Sequence, residues 1–149
     1  MVEFKLTISD PKAKRSYKKV IGEPETSIFI GKKINDTIKE VSSFKGYEFI
    51  ITGGSDKQGF PMRPDLPSAS RKKLLMTSGP GVKIKRKGMK RRKTVVGNTI
   101  NANISQINLK VSKSGSKSIE EILGIKKEEV KEEKSEEPKE EAPSQISKE

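Results

Sequence analysis

Residues 2–8 read Val-Glu-Phe-Lys-Leu-Thr-Ile, and apolar and polar side chains alternate along the whole stretch. The apolar members, Val2, Phe4, Leu6 and Ile8, stand at every second position. Because side chains in a strand point alternately to opposite faces, a period of two predicts a β-strand with one buried face. This stretch sets the pattern that most of the chain follows.

Short segments of β-branched and apolar residues recur along the chain, separated by Gly, Pro and Asn. This composition is typical of strands bounded by tight turns. The further segments predicted as strands are 17–21, 47–52, 73–77, 82–86, 93–97, 99–101 and 104–111. Many short strands predict a mainly β fold, a small antiparallel β-barrel-like domain.

One or two short helices are expected beside the strands. Apolar residues at positions i, i+4 and i+7 predict a helix over 36–43. Residues 118–121 read Ser-Ile-Glu-Glu, the sequence of a capping box, and predict a second helix that ends at Gly124.

Composition limits the size of the core and divides the chain in two. Only 30% of the 149 residues are hydrophobic, against roughly 45–50% in ordinary globular domains. Residues 1–124 hold 26 basic and 11 acidic side chains, and we expect them to form one basic β-rich domain. In residues 125–149, 15 of 25 side chains are charged and acidic ones prevail. The few apolar side chains of this segment cannot offset the conformational entropy that the chain would lose on folding. We therefore expect residues 125–149, the acidic tail, to be disordered.

The chain contains no His, Cys or Trp. Zinc, haem and iron–sulfur sites built on His or Cys ligands are therefore excluded, as are Ser-His-Asp triads, cysteine nucleophiles and disulfides. No pair of carboxylates stands out as a general acid and base. We expect a protein that is not an enzyme and that has no cofactor, no metal site and no small-molecule substrate. Without a signal peptide or a long apolar run, it is expected to be intracellular and soluble.

The distribution of charge indicates the partner. Between Asp65 and Glu120 lie 54 positions without an acidic residue, and 14 of them are basic. The basic run 83–93 holds eight cations in eleven residues. Folded surfaces normally mix both signs, because a field of one sign destabilises the compact state until a polyanion neutralises it. The pattern predicts binding to the phosphates of a folded nucleic acid through Arg and Lys.

A glycine-rich loop, residues 53–62, reads Gly-Gly-Ser-Asp-Lys-Gln-Gly-Phe-Pro-Met. Gly54 and Gly59 have the spacing of a P-loop, but Phe60 and Pro61 stand where that motif needs Lys and then Ser or Thr. A nucleotide-phosphate site is therefore rejected. A flexible loop of this kind can approach a sugar-phosphate chain closely, and Phe60 could stack on a base or anchor the loop in the core.

The glycine-rich loop is closely similar to the signature loop of the archaeal and eukaryotic small-subunit ribosomal protein S-six-e (S6e) family. The resemblance continues through 45–47, 90–97 and 101–109, and it covers essentially residues 1–124. It implies a non-enzymatic structural protein of the small ribosomal subunit, in the cytoplasm. Its partners would be small-subunit ribosomal RNA and neighbouring ribosomal proteins, with no membrane. The long basic C-terminal helix and phosphorylated serines of eukaryotic members have no counterpart here, so the chain resembles the short archaeal form.

On positions that match the family's patterns, the resemblance implies fifteen RNA-facing residues. They are Lys57, Gln58, Phe60, Arg63, Arg71, Lys72, Lys73, Lys83, Lys85, Arg86, Lys87, Lys90, Arg91, Arg92 and Lys93.

Two other classes of function share these features. A free-standing nucleic-acid-binding chaperone or chromatin-type protein would use the same basic surface, and composition does not separate it from a ribosomal protein. A polybasic membrane-surface protein is the third possibility, but the sequence carries neither an amphipathic helix nor a lipidation signal.

Overall fold

The computed structural model describes residues 2–39, 41–83, 85–115 and 117–124. They form seven strands, one α-helix and one 3₁₀-helix (Glu25–Ile28). The elements are β1 (Phe4–Asp10), β2 (Arg15–Ile21), β3 (Thr37–Ile38), β4 (Glu48–Asp56), β5 (Arg71–Met76), β6 (Arg91–Val96), β7 (Ile104–Lys113) and α1 (Ile119–Leu123). The mainly β fold class is confirmed. The predicted disordered tail, 125–149, lies outside the described residues.

Five strands form the main sheet in the order β2-β1-β7-β4-β3, and β5 and β6 form a separate two-stranded sheet. All neighbouring strands are antiparallel except β1 and β7, which run parallel from the pair Lys5 and Gln106 to the pair Ser9 and Lys110. The main sheet is therefore mixed. Everything between β1 and β7 forms the connection that this parallel pair requires.

The core lies against one face of the main sheet. The alternation predicted from residues 2–8 is confirmed, because Phe4, Leu6 and Ile8 are fully buried while Lys5 is exposed. The inward residues of β4 and β7 join them, and the connection from β2 to β4 folds over the same face. Its buried members include Phe29, Ile34, Val41, Phe44 and Tyr47.

The predicted helix over 36–43 is wrong. Thr37 and Ile38 form β3, which pairs with Ile50 and Phe49 of β4. Asn35 has a φ of 77°, in the left-handed region, so it makes a turn where a helix would begin. The apolar spacing in this segment reflects a chain that crosses the core, and pairing with β4 overrides the local periodicity.

Two predicted strands are also wrong. The described residues of 82–86 belong to the loop between β5 and β6, where glycines with positive φ (112° at Gly79, 79° at Gly81 and 81° at Gly88) turn the chain. In the segment 99–101, Thr99 makes only an isolated bridge to Lys33.

The predicted C-terminal helix is confirmed as α1. The Ser118 hydroxyl accepts from the Glu121 backbone N–H at 3.3 Å, and the Ser118 N–H donates to the Glu121 carboxylate at 3.4 Å. The helix ends at Gly124, which has a φ of 66°.

Gly97, directly after β6, lies against the backbone of the loop that precedes β5. Asn98 N–H donates to the Leu66 carbonyl at 2.9 Å, and Thr99 N–H donates to the Ser68 carbonyl at 3.3 Å. A Cβ atom at position 97 would collide with that Ser68 carbonyl. The close approach of two backbone segments therefore requires glycine here.

We predict that Gly97→Ala lowers the free energy of unfolding by about 1–3 kcal/mol, because a backbone carbonyl cannot move aside as a side chain can. Gly53→Ala is the matched control, since no atom lies within 4 Å of its added Cβ. Urea unfolding of the full chain measures both. Equal stabilities for the two variants would contradict the packing at Gly97.

Candidate nucleic-acid interface

The β5–β6 hairpin carries cations on both faces. Its register places Leu75 opposite Arg92 and Leu74 opposite Lys93. Because paired residues share a face and successive residues alternate, one face holds Arg71, Lys73 and Arg92, and the other holds Lys72, Arg91 and Lys93. Of the basic run 83–93, only the last three residues lie in a strand.

The loop at the end of the hairpin extends the same charge. Its five cations are all exposed: Lys83, Lys85, Arg86, Lys87 and Lys90. The four salt bridges among the described residues involve only Arg63 and Arg71 of the thirteen predicted RNA-facing cations. The other eleven therefore have no ionic partner in the described part of the chain.

The glycine-rich loop closes as a tight turn that continues β4. Asp56 N–H donates to the Phe60 carbonyl at 3.0 Å, and Gly59 N–H donates to the Asp56 carbonyl at 2.8 Å. Gly59 has a φ of 81°, which glycine adopts without strain. The turn leaves Lys57 and Gln58 exposed at its tip.

The segment that leaves this turn joins the two sheets. Pro61 bridges to Ser55 of β4, and Met62 bridges to Val96 of β6. Val96 N–H donates to the Pro61 carbonyl, and Arg63 N–H donates to the Val96 carbonyl, both at 3.0 Å. The base of the hairpin is thus fixed to the main sheet through backbone hydrogen bonds.

Asp56 and Arg71 join the glycine-rich loop to β5. Asp56 is only 3% exposed, and its Oδ2 accepts a hydrogen bond from Nε of Arg71. Nη1 of the same guanidinium donates to the Gln58 side chain at 2.6 Å. Its central carbon lies 5.5 Å from the centre of the Phe60 ring, a cation–π contact. One arginine therefore holds three residues of the loop.

The Arg71 guanidinium holds the pKa of Asp56 below its ordinary value of 3.8. Burial of the carboxylate acts in the opposite direction, and the nearby backbone N–H groups of Lys57 and Gln58 lower the pKa further. Asp56 is therefore ionised at neutral pH, with its charge compensated from within the chain.

Arg63 holds the far end of β5. Its side chain is 15% exposed, and Nη1 lies 2.8 Å from the Met76 sulfur and 3.1 Å from the Ser78 carbonyl. Nη2 pairs with Asp65 at 2.6 Å. Arg63 thus connects the segment after the glycine-rich loop to the start of the hairpin loop.

Four of the fifteen predicted residues, Gln58, Phe60, Arg63 and Arg71, therefore make the side-chain contacts described above. Phe60 is partly buried and packs against the core, so its contacts are those of an anchor. Contact of these four with RNA stays a prediction. Sequence reasoning did not assign Asp56 a role, although it is the only acidic residue of the glycine-rich loop.

The ion pair borders an open cavity with hydrogen-bonding side chains. The cavity has a volume of about 460 Å³ and is lined in part by Asn101, Asn103 and Ser70. Its only carboxylate is Asp56, so the lining offers no acid–base pair of carboxyl groups. Within the described ranges, no cluster of three potential metal-ligating side chains occurs.

No helix among the described residues is long and apolar enough to cross a membrane.

We predict that Asp56→Asn lowers the free energy of unfolding at pH 7 by about 1–3 kcal/mol, because a charged hydrogen bond in a buried place is lost. The folded-state pKa is depressed, so the stabilisation is complete above the ordinary pKa and disappears as pH falls through the folded value. The difference between wild type and variant, measured by urea unfolding, should therefore shrink from pH 7 to about pH 2.

Asp65→Asn is the control for this experiment. Its side chain is 69% exposed in its pair with Arg63, so its loss should change stability by less than about 1 kcal/mol at either pH. An Asp56 effect that stays constant with pH would contradict the ionic role of this carboxylate.

Comparison with known proteins identifies the family. The family described as Ribosomal protein S6e matches residues 4–124. The chain is 46% identical over 129 residues to the small ribosomal subunit protein eS6 of Archaeoglobus fulgidus, covering 85% of this chain and 100% of the relative. It is 44% identical to that of Methanocaldococcus jannaschii, over 84% of this chain and 94% of the relative. It is 46% identical to the small ribosomal subunit protein eS6 of Methanoculleus marisnigri, over 81% of this chain and 92% of the relative. The chain therefore belongs to the ribosomal protein S6e family, whose members are structural ribosomal proteins and not enzymes.

Proposed function

We propose that this protein is a structural constituent of the small ribosomal subunit, in the cytoplasm, and that it binds ribosomal RNA through the β5–β6 hairpin and the glycine-rich loop. The observation that carries the proposal is the set of eleven predicted cations without an ionic partner among the described residues. Neighbouring ribosomal proteins are its other partners in the particle.

Phosphate neutralisation accounts for this arrangement. Lys72 and Lys73 point to opposite faces of the hairpin, and so do Arg92 and Lys93. A flat membrane surface would meet only one face, whereas folded RNA strands can enclose both. The cations would contact phosphates on both sides and fix the register of the protein on the RNA, without reading base sequence.

Contacts within the chain hold the hairpin in place for binding to RNA. Arg71 and Arg63 hold the two ends of β5, and the segment 61–63 joins the hairpin base to the main sheet. A hairpin fixed at its base presents its cations with little loss of entropy on binding. Lys57 and Gln58 at the exposed tip of the glycine-rich loop add further contacts, and the exposed parts of Phe60, Arg63 and Arg71 complete the predicted set of fifteen.

We predict that binding of the full chain to small-subunit RNA depends steeply on salt. If about eight phosphates are neutralised, the log–log slope of affinity against salt concentration is about −6 to −7. The triple variant Lys85→Ala, Arg86→Ala, Lys87→Ala should reduce the size of this slope by about one for each residue. Filter binding at several salt concentrations measures it.

The matched control removes three exposed lysines far from the hairpin in sequence, Lys32→Ala, Lys33→Ala and Lys39→Ala. It makes the same change in net charge and should leave the slope nearly unchanged. Binding that is indifferent to salt, or an equal loss in both variants, would contradict binding through the hairpin.

Sedimentation of a cell lysate separates the ribosomal protein from a free-standing chaperone. We predict that the full chain migrates with small ribosomal subunits through moderate salt, because many phosphate contacts are made at once. A pool that is free or bound to DNA under the same conditions would contradict the assignment and support the chaperone.

A further inference from the structure

The main sheet has a second face, whose side chains are exposed or half-buried in the described part of the chain. Strand register places Thr7 of β1 opposite Lys18 of β2 and opposite Asn108 of β7, and Lys5 lies opposite Gln106. These residues alternate with the buried residues of the same strands, so they point away from the core. Six residues define the outer sheet face: Lys5, Thr7, Lys18, Gln106, Asn108 and Lys110. None of them is buried.

The six residues of the outer sheet face include three lysines and no acidic residue. Its three lysines are exposed and make no salt bridge among the described residues. None of the six belongs to the fifteen residues predicted from sequence. The face is therefore a second basic surface, made of residues outside the hairpin.

This segregation of charge is not a consequence of composition. Residues 1–65 contain nine acidic side chains, in contrast to the acid-free region after them. The described ones, apart from Glu3 just before β1, accept hydrogen bonds within the chain. Asp10 accepts from the Lys12 N–H, Asp36 accepts from the Lys33 N–H, and Glu25 accepts from the Ser43 hydroxyl. By the same alternation, two described acidic residues lie at the margin of the outward side: Glu48 at the start of β4, which is paired with Lys113 at 3.0 Å, and the exposed Glu3 just before β1.

Neutral groups between the lysines fit a ribose-phosphate chain. Nε2 of Gln106 donates to the Thr7 hydroxyl at 3.3 Å and to Oδ1 of Asn108 at 3.0 Å. This ladder fixes two amides and a hydroxyl on a half-exposed surface. Amide and hydroxyl groups bind phosphate oxygens and ribose 2′-hydroxyls, while lysine supplies the charge.

We propose that the outer sheet face is a second RNA-binding surface, so that one molecule joins two RNA segments, one at the hairpin and one at the sheet. This inference rests on the proposed function, and it concerns residues that the hairpin site does not use. Charge complementarity favours RNA over a protein partner, because the face offers three cations and hydrogen-bonding groups. Among the described residues its one exposed large apolar neighbour is Val20.

The test compares triple variants of the full chain in the salt-dependent RNA-binding assay. Lys5→Ala, Lys18→Ala, Lys110→Ala should reduce the size of the log–log slope by about two to three. The control triple at Lys32, Lys33 and Lys39 should not. A glutamine version of the sheet triple keeps the side chains long and should show the same shift, and far-UV circular dichroism checks that each variant is folded.

The outcomes separate this inference from the proposed function. A slope shift in the sheet triple, beside that of the hairpin triple, supports two surfaces. An unchanged sheet triple with an altered hairpin triple overturns the second surface alone. An altered sheet triple with an unchanged hairpin triple would overturn the hairpin site instead. If the control triple reduces the slope as much as the sheet triple does, the inference is also overturned, because the slope would then depend on net charge and not on the sheet surface.

A single-cysteine probe identifies what covers the face. The chain has no cysteine, so Ser16→Cys, exposed beside this face on β2, carries one photo-crosslinker, and Ser27→Cys in the 3₁₀-helix is the comparison site. In small subunits we expect crosslinks from position 16 to RNA in clear excess over those from position 27. Crosslinks from position 16 only to protein, or no excess over position 27, would overturn the proposal.

Discussion

The ion pair between Asp56 and Arg71 connects the two parts of this protein that differ most in character. Asp56 belongs to the glycine-rich loop at the end of β4, and Arg71 begins the basic hairpin. Because the carboxylate is buried and the guanidinium also contacts Gln58 and Phe60, the loop and the hairpin are held as one unit. Without this pair the hairpin would still be attached through the backbone of the segment 61–63 and the Arg63 side chain, but the glycine-rich loop would lose its side-chain link to β5.

Acidic and basic side chains differ in how often they have a partner within the described part of the chain. Most described acidic residues form hydrogen bonds at turns and strand edges, so their charge serves the fold. Most cations of the hairpin and the outer sheet face have no such partner among the described residues. Self-repulsion in such a chain is partly relieved by salt and more fully by a polyanion. If the protein binds RNA as proposed, the RNA phosphates would therefore add to its stability.

The parts of the fold that depend on local pattern could be predicted from the sequence. The alternation in β1 and the capping box of α1 are local signals, and both are confirmed. The segment 36–43 could not be predicted, because its two-residue strand exists only through pairing with β4. The parallel pairing of β1 with β7 joins residues about a hundred positions apart and leaves no local trace.

The same distinction applies to the site. The excess of cations is visible in the composition, whereas the roles of Arg63 and Arg71 depend on contacts across the chain. Asp56 was missed for this reason, since nothing next to it in sequence indicates its partner. The outer sheet face is not visible in the sequence, because its lysines are scattered over three strands and come together only through register.

Unfolding of the free protein at increasing salt tests the central claim most directly, namely that its cations lack compensation within the chain. Because repulsion among them is screened by salt, the free energy of unfolding should rise between about 0.05 and 0.5 M NaCl. The rise should be smaller in the triple variant at Lys85, Arg86 and Lys87. A free energy of unfolding that stays constant or falls over this range would contradict the account.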